Sequence, residues 1–496
     1  MMGNGMHSET PWRSSIMLGI CFFLLLCIFR YEVLFFPPYW DSITGLFAEA
    51  IWLNEHQFDY YKLMYETPGY NLGGARDRLF SFYPTLQTLL IRLIPDTSLF
   101  LLTNHLLSFG YASVVLVAFY HLLRYQFTKD ISLLGCFLLL GFPLFITQAD
   151  ALYMEMPLLA FSLSALVCTT YHRPVLGACL AMLAMYTKPT GIICVATLFV
   201  FNLIDLTVTR RQRRAACGIL GICALLFIMQ WFLYQTFYQE IDDAFRFMRG
   251  ALKGFFRSMP DFLMLYLVFG LFTGLTLKYH LQEASFNIKA FFTALFKDRL
   301  NMLMILFLSW FTLFHMNIIT ILPRYFLLCL PVLLFGLISL TVRYLKRTWL
   351  IRSGILILTG LFLYNLSGRL YSAYPENDGF ILERSLEYMD DMRLNIQLAK
   401  HLEEKYADTT IITSWPYIQM LVLPQLGYVT KPLNAVTING PLSYGPFTKA
   451  AATKDTVWVY GPNCFSGMYG YYPHEDELIE TITKGERQVV IFRNIE

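Results

Sequence analysis

Charge is scarce in this sequence. Of its 496 residues only 15% are Asp, Glu, Lys or Arg, against about 25% in water-soluble domains, while 56% are hydrophobic. A chain so short of charge cannot coat its surface with solvated groups, which excludes an ordinary soluble globule and makes lipid the solvent for much of that surface. Paired cysteine motifs are missing too. Nine of the ten cysteines, from Cys21 to Cys329, fall inside apolar runs, where a thiol behaves as a small hydrophobe, and Cys464 alone sits in polar sequence. With no CxxC pair and no Cys/His ladder, neither a zinc site nor a disulfide framework is indicated. Basic runs interleaved with aromatics are also lacking, and the net charge is only +3, so no nucleic-acid partner is expected. Internal repeats and low-complexity segments are absent.

What the chain has instead is long apolar runs and aromatic residues, 43 Phe and 31 Tyr, which suit a helix bundle with rings at its membrane interfaces. A helix needs about 20 apolar residues to cross ~30 Å of hydrocarbon, and helices satisfy every backbone group there. About eleven such runs are present, near 14–36, 99–123, 131–148, 156–171, 174–187, 190–208, 215–238, 260–278, 300–320, 325–342 and 350–367. The first has no small-residue cleavage site and reads as a retained span. The short fifth run ends sharply at Lys188-Pro189-Thr190-Gly191, so it and the sixth fit a broken pair as well as two spans.

Lys and Arg set the orientation. With the N-terminus in the cytoplasm, the cytoplasmic loops carry Arg124 and Lys129, Arg173, Arg210 to Arg214, Lys278, Lys289, Lys297 and Arg299, and Arg343, Lys346, Arg347 and Arg352. Three segments then face outward. Residues 37–98 include an amphipathic stretch at 43–53 expected along the membrane surface, and residues 239–259 carry Arg246, Arg249, Lys253 and Arg257 at helical spacing. The tail turns soluble, with an amphipathic helix at 383–406 (Leu386, Met389, Ile396, Ala399, Leu402 and Tyr406 on one side) and strand candidates at 409–413, 457–460 and 488–493 between turns such as Gly440-Pro441 and Gly461-Pro462. The expected architecture is mainly α. Residues 1–369 form a polytopic transmembrane helix bundle with outer loop 37–98, and residues 370–496 a small extracytoplasmic α/β domain.

Four charged residues beside apolar runs are not explained by topology. These are Asp41 after Pro37-Pro38-Tyr39-Trp40, Glu155 in Tyr153-Met154-Glu155-Met156-Pro157, Lys188 before Pro189, and Arg324 after Pro323. A charge at mid-bilayer costs roughly 2.5–3.5 kcal/mol on insertion scales, so such groups need a reason. Each has an ordinary one: Asp41 as a helix N-cap, Glu155 as an interfacial carboxylate, Lys188 and Arg324 snorkelling to headgroups. His105, His121 and His315 read as satisfied core residues. The derived topology, however, puts all four charged residues at the same outer face, where two acids and two bases can converge on one pocket.

The Asp41 loop, Tyr153-Met154-Glu155-Met156-Pro157, Leu183-Ala184-Met185-Tyr186-Thr187-Lys188-Pro189-Thr190-Gly191 and Pro323-Arg324-Tyr325-Phe326-Leu327 occur in the order found in the GT-C membrane glycosyltransferases. Over residues 14–345 the chain resembles the branch that holds the lipid A aminoarabinose transferase and relatives of the protein O-mannosyltransferases. The resemblance implies a glycosyltransferase of the bacterial inner (plasma) membrane, taking a sugar from a polyprenyl-phosphate donor to a lipid, glycan or protein acceptor on the extracytoplasmic side. It implies Asp41 and Glu155 as catalytic acids, and Lys188, Arg324, Asp150, Tyr153 and Tyr325 as substrate-binding residues. No cofactor is required by it, though a divalent cation at Glu155 is compatible. Many relatives carry two adjacent acids in the first loop; here Ser42 follows Asp41 and the nearest further acid is Glu49, so no metal ligand set is assigned.

The rival class is a transporter or flippase of lipid-linked sugars. Such proteins place coupling charges near the midplane and show repeated halves, whereas these charges sit at one end and the halves do not match. A polysaccharide polymerase or ligase would also use outward Arg and acid residues, and a membrane scaffold would leave the cluster without a use.

Overall fold

Helices dominate the chain, with one small sheet near its end. The computed structural model describes residues 12–60, 81–235, 298–315, 323–344, 348–366, 384–413, 416–437, 456–461, 478–484 and 487–493. The expected span at 260–278, the basic helix at 239–259, residues 61–80 of the first outer loop, the Gly440-Pro441 turn and Cys464 lie outside them. The chain divides into two units. The first holds Met1–Phe29, Ser108–Ala149 and Glu155–Leu386; the second holds Arg30–Leu107, Asp150–Met154 and Glu387–Glu496.

The helices, in chain order, are α1 (Trp12–Phe29), α2 (Glu49–Glu55), α3 (Phe82–Leu93), α4 (Thr97–Arg124), α5 (Lys129–Gly141), α6 (Pro143–Asp150), α7 (Glu155–Thr170), α8 (Pro174–Thr187), α9 (Ile192–Ile204) and α10 (Arg210–Gln235). After the undescribed stretch come α11 (Arg299–His315), α12 (Leu330–Tyr344), α13 (Thr348–Asn365), α14 (Tyr388–Lys405) and α15 (Tyr417–Val422).

The first unit is the apolar bundle. Its helices keep large aliphatic side chains outward, among them Ile28 at 71% exposed, Ile222 at 61% and Ile357 at 63%. In water that surface would be costly at roughly 25 cal/mol per Å², so it is a lipid-facing surface and the protein is a membrane protein. By length and composition, α4 and the stretch Arg210–Met229 can each cross a bilayer, and the α5–α6 pair makes a third if its bend is one span. Seven further apolar helices have 10–17 residues.

Proline explains much of the difference from an even series of long spans. The sequence run at 131–148 splits at Phe142-Pro143, where α5 and α6 meet at 65°. Pro143 cannot donate into α5, and it forces Phe142 into extended backbone (φ −69°, ψ 122°). The break at 188–191 is likewise present: α8 stops at Thr187, and a 3₁₀ turn at Pro189–Gly191 leads into α9.

Glycine sets how closely two of these elements approach. Gly177 on α8 lies where an added Cβ would strike the Thr169 hydroxyl and come within 3.0 Å of the Ala165 carbonyl oxygen, both on α7. Gly191 lies directly against the backbone of Ala184 and Met185, which folds the 3₁₀ turn back onto the last turn of α8. At the other end of these helices Arg299 ties α7 to α9, through the Thr169 carbonyl oxygen at 2.5 Å and Asp205 at 2.8 Å. The charge counted for topology is therefore also a packing clamp.

In the second unit, strands β1 (Thr410–Thr413), β2 (Ala435–Thr437), β3 (Thr456–Tyr460), β4 (Leu478–Lys484) and β5 (Arg487–Arg493) form one sheet in the order β2-β1-β3-β5-β4. β1 runs parallel to β2 and β3, while β5 is antiparallel to β3 and β4. The three strand candidates fall on β1, β3 and β5. Helix α14 packs on the sheet through Leu394, Leu398, Ala399 and Leu402, and its buried side also includes Asp391 and Asn395.

The stretch at 43–53 departs from expectation. It is helical, but Ile43, Leu46, Phe47, Ile51, Trp52 and even Glu49 are buried. Apolar residues surround its whole circumference, and a helix apolar on every side is a core helix rather than a surface one. It packs on α3, where the Thr88 hydroxyl donates to the Ala50 carbonyl oxygen at 3.2 Å.

One acid on the sheet edge predicts a pH response. Burial pushes the Glu480 carboxyl up, but hydrogen bonds from His401, Lys405 and Tyr406 outweigh it and leave the carboxyl below its ordinary value. Its stabilising contribution is complete above the unfolded carboxyl value of about 4.3 and disappears as pH falls through the lower folded value. Hydrogen–deuterium exchange of residues 478–484 in the wild type and in Glu480→Gln should differ at pH 7 and converge as pH falls below the unfolded carboxyl value. Equal protection at pH 7 would remove Glu480 from the docking of α14 on β4.

Candidate active site

Three elements of the first unit deliver charged side chains to one cleft. Glu155 opens α7, where a carboxylate meets the partial positive charge of the helix N-terminus, and Pro157 fits the first turn because its missing N–H has no partner to lose. Lys188 caps α8 in extended backbone (φ −152°, ψ 140°), the conformation that the following Pro189 favours. Arg324 follows Pro323 in a 3₁₀ turn, Pro323–Leu328, that precedes α12.

These breaks bring together residues that are up to 169 positions apart (155 to 324). The Lys188 ammonium donates to Glu155 Oε1, and Arg324 Nε stands 3.1 Å from the same oxygen. All three side chains are largely buried, at 14%, 6% and 5% exposed for Lys188, Glu155 and Arg324. Tyr325 packs alongside, its ring centroid 4.7 Å from Lys188 Nζ and 5.5 Å from Arg324 Cζ, close enough for cation–π attraction to both. Leu158, Thr190, His315 and Leu328 complete the cleft. Its cavity volume is about 10 Å³, room for about one water.

His315 was not distinguished from other core histidines by sequence. His105 and His121 each make one core hydrogen bond, to the Phe36 carbonyl oxygen and the Ser15 hydroxyl at 2.9 Å, and His105 Nδ1 is buried without a hydrogen-bond partner among the described residues. His315 is set apart by lining the cleft. Its Nδ1 faces the Phe311 carbonyl oxygen at 2.9 Å, yet its Nε2 is buried without a hydrogen-bond partner among the described residues. The signal available in sequence was its position eight residues before Pro323, at the end of an apolar run.

Asp41, Asp150 and Tyr153 belong to the second unit. Asp41 is half-buried and sits in a tight turn. The Tyr39 N–H donates to the Ser42 hydroxyl oxygen at 2.8 Å, the Ser42 hydroxyl donates to the Tyr39 carbonyl oxygen at 2.5 Å, and Trp40 holds φ +50°. Left-handed backbone on a bulky residue costs of order 1–3 kcal/mol and persists where surroundings enforce it.

Those surroundings come from α14. The Tyr39 hydroxyl donates to Asp391 at 2.8 Å, and burial, with the Asp391 carboxylate alongside, raises the Tyr39 phenol well above its ordinary value, so it stays a donor. Arg30 donates twice to Asp150 Oδ2, at 2.9 and 2.6 Å, and the Tyr388 hydroxyl donates to the same oxygen at 3.2 Å. Asp150 is thus engaged in a buried ion pair of its own unit. Tyr153 is buried as well.

No protein-family model and no curated protein matches the chain. Its fold is shared by a solved structure. The chain is similar to ArnT from Cupriavidus metallidurans in the apo state, with a TM-score of 0.51 and 13% identity over 95% of this chain and 97% of that one. ArnT from Cupriavidus metallidurans bound to undecaprenyl phosphate overlays at a TM-score of 0.47, again with 13% identity, over 98% and 99% of the two chains. At this identity the likeness is one of fold.

The shared carboxylate makes a stability prediction. Removing Glu155 leaves two buried cations facing each other, a loss of about 3–5 kcal/mol in comparable buried pairs. Glu155→Ala should lower the apparent thermal midpoint in detergent, at fixed scan rate, by more than Lys188→Ala does. A midpoint equal to wild type would mean that the carboxylate does not hold the cations in place.

Proposed function

We propose that the chain is an inverting glycosyltransferase that moves a sugar from a polyprenyl-phosphate carrier to a lipid, glycan or protein acceptor at the extracytoplasmic face of a bacterial inner membrane, within a bundle of about eleven spans. The observation that carries the reading is the convergence of Lys188 and Arg324 on one buried cleft. A fixed pair of cations in a site of low dielectric suits a phosphate whose negative charge grows as its bond to the sugar breaks.

Each residue type fits a step. Arg324 can hold phosphate oxygens through its planar fork and Lys188 as a point charge. Glu155 keeps the two cations in position before the donor binds, and once displaced it can orient the acceptor. The acceptor hydroxyl oxygen attacks the anomeric carbon as the carbon–oxygen bond to phosphate breaks, the electron pair leaving with the carrier phosphate. The hydroxyl proton passes to a carboxylate, a role assigned to Asp41 from its loop motif and worth about 10²–10⁴ in rate. Attack opposite the leaving phosphate inverts the anomeric centre.

Two outcomes test the reading. Purified full-length protein in nanodiscs should bind undecaprenyl phosphate, and Arg324→Ala should weaken that affinity by roughly 10- to 100-fold, the loss of a hydrogen bond to a charged group. Unchanged affinity in Arg324→Ala would defeat the phosphate assignment. Asp41→Asn should leave carrier binding intact and cut transfer from radiolabelled undecaprenyl-linked sugars by about 10²-fold or more. Full transfer by that variant would remove Asp41 from the role of base.

A further inference from the structure

We propose that His315 is a sugar-binding residue of the cleft, accepting a hydrogen bond at Nε2 from a hydroxyl of the carrier-linked sugar. The inference rests on the donor class proposed above.

The argument begins with the tautomer. Nδ1 lies 2.9 Å from the Phe311 carbonyl oxygen, one turn back on α11, and a carbonyl oxygen can only accept. Nδ1 therefore carries the proton, and Nε2 of the uncharged ring presents a lone pair. That atom is buried and has no hydrogen-bond partner among the described residues, although His315 is only 5% exposed. A buried polar atom left unmatched is costly, and a ligand donor would recover that cost.

Aromatic rings flank the imidazole. Phe311 packs against it at 4.0 Å between centroids, Phe326 stacks at 6.4 Å with planes 27° apart, and Tyr325 stands 6.2 Å away. The residue lines the same cleft as Glu155, Lys188, Arg324 and Tyr325.

The charge pattern then selects the ligand group. A phosphate oxygen is an acceptor and would face the Nε2 lone pair unfavourably, whereas Lys188 and Arg324 supply it with donors. A hydroxyl can donate to Nε2. With the phosphate on the cations, the hydroxyls joined nearest to it are those of the sugar, so Nε2 distinguishes a sugar-bearing carrier from the bare one.

The test compares affinities of the full-length protein in nanodiscs for undecaprenyl phosphate and for a panel of undecaprenyl-phosphate hexoses. Wild type should bind at least one hexose-bearing carrier more tightly than the bare carrier. His315→Phe, which keeps an aromatic ring in the stack and removes the acceptor, should lose that preference, about 5- to 10-fold, while keeping its affinity for undecaprenyl phosphate. His315→Gln, whose amide oxygen can reach the Nε2 position, should retain much of the preference.

A His315→Phe protein that still prefers the hexose carrier would overturn the assignment, as would an equal loss of affinity for both carriers or a wild type with no preference. Arg324→Ala separates the two proposals. If it leaves undecaprenyl phosphate binding unchanged, the donor reading itself fails; if it weakens binding while His315→Phe keeps its preference, only the role of His315 fails.

Discussion

A carboxylate with 6% of its side chain exposed, held against two cations, is the constraint on which the first unit's arrangement turns. Taking each ion out of water costs several kcal/mol, and the interior returns that only when geometry is close and remaining donors are used. Glu155 meets the condition by accepting from Lys188 while standing 3.1 Å from Arg324, with the Tyr325 ring alongside both cations. The protein's own side chains thus hold the two cations side by side in a buried position. In the proposed function, an anion bound there would compete with Glu155 for cations that the fold positions.

The second unit solves a different problem, that of fixing an irregular segment. Residues 30–42 have only a short 3₁₀ turn at Tyr31–Phe35 to satisfy their backbone, and Arg30, Pro38 and Tyr39 are held by Asp150, Tyr428, Tyr388 and Asp391. Near the start of the segment, Glu32 accepts from Arg393 at a more exposed position, where such a pair contributes little. The buried contacts matter more, because a lost partner there leaves a polar group without water. Those of Pro38 and Tyr39 sit within two residues of Trp40, whose left-handed backbone precedes Asp41. A C-terminal element thus has a defined use within its unit: α14 supplies the polar partners that keep the loop of the proposed base in one conformation.

Much of this was legible in the sequence, and the parts that were not have physical causes. Apolar run length located nearly every helix of the described bundle, and proline marked where runs break, but hydropathy alone cannot see that 131–148 bends by 65° at Pro143. Strands β1, β3 and β5 carry the apolar runs that read as strands. β2 has only three residues, and β4 is an edge strand with Ile482 as its buried side chain, so neither shows a pattern. The charges of the α14 helix were expected away from its apolar side, yet Asp391 is buried, where Tyr39, from a segment more than three hundred residues earlier, donates to it. Glu155, Lys188 and Arg324 were legible as candidates because a charge at the end of an apolar run demands a reason, and Tyr325 through the family resemblance. His315 was not, since sequence does not show which core histidine lines the cleft.

The charged candidates share a local feature that is more informative than charge itself. Lys188 precedes a proline, Arg324 follows one, Glu155 lies two residues before one and Asp41 three residues after one. A side chain on a continuous helix points to the side and is surrounded by lipid or by neighbouring helices. At a proline break the backbone leaves the helical path, as at Lys188, and a side chain there can project along the bundle from a helix end. Such ends also expose backbone groups that no intrahelical bond satisfies, so polar side chains and ligands are favoured there over aliphatic ones. In this protein the prolines decide which charges meet, and the charges decide what the resulting cleft can hold.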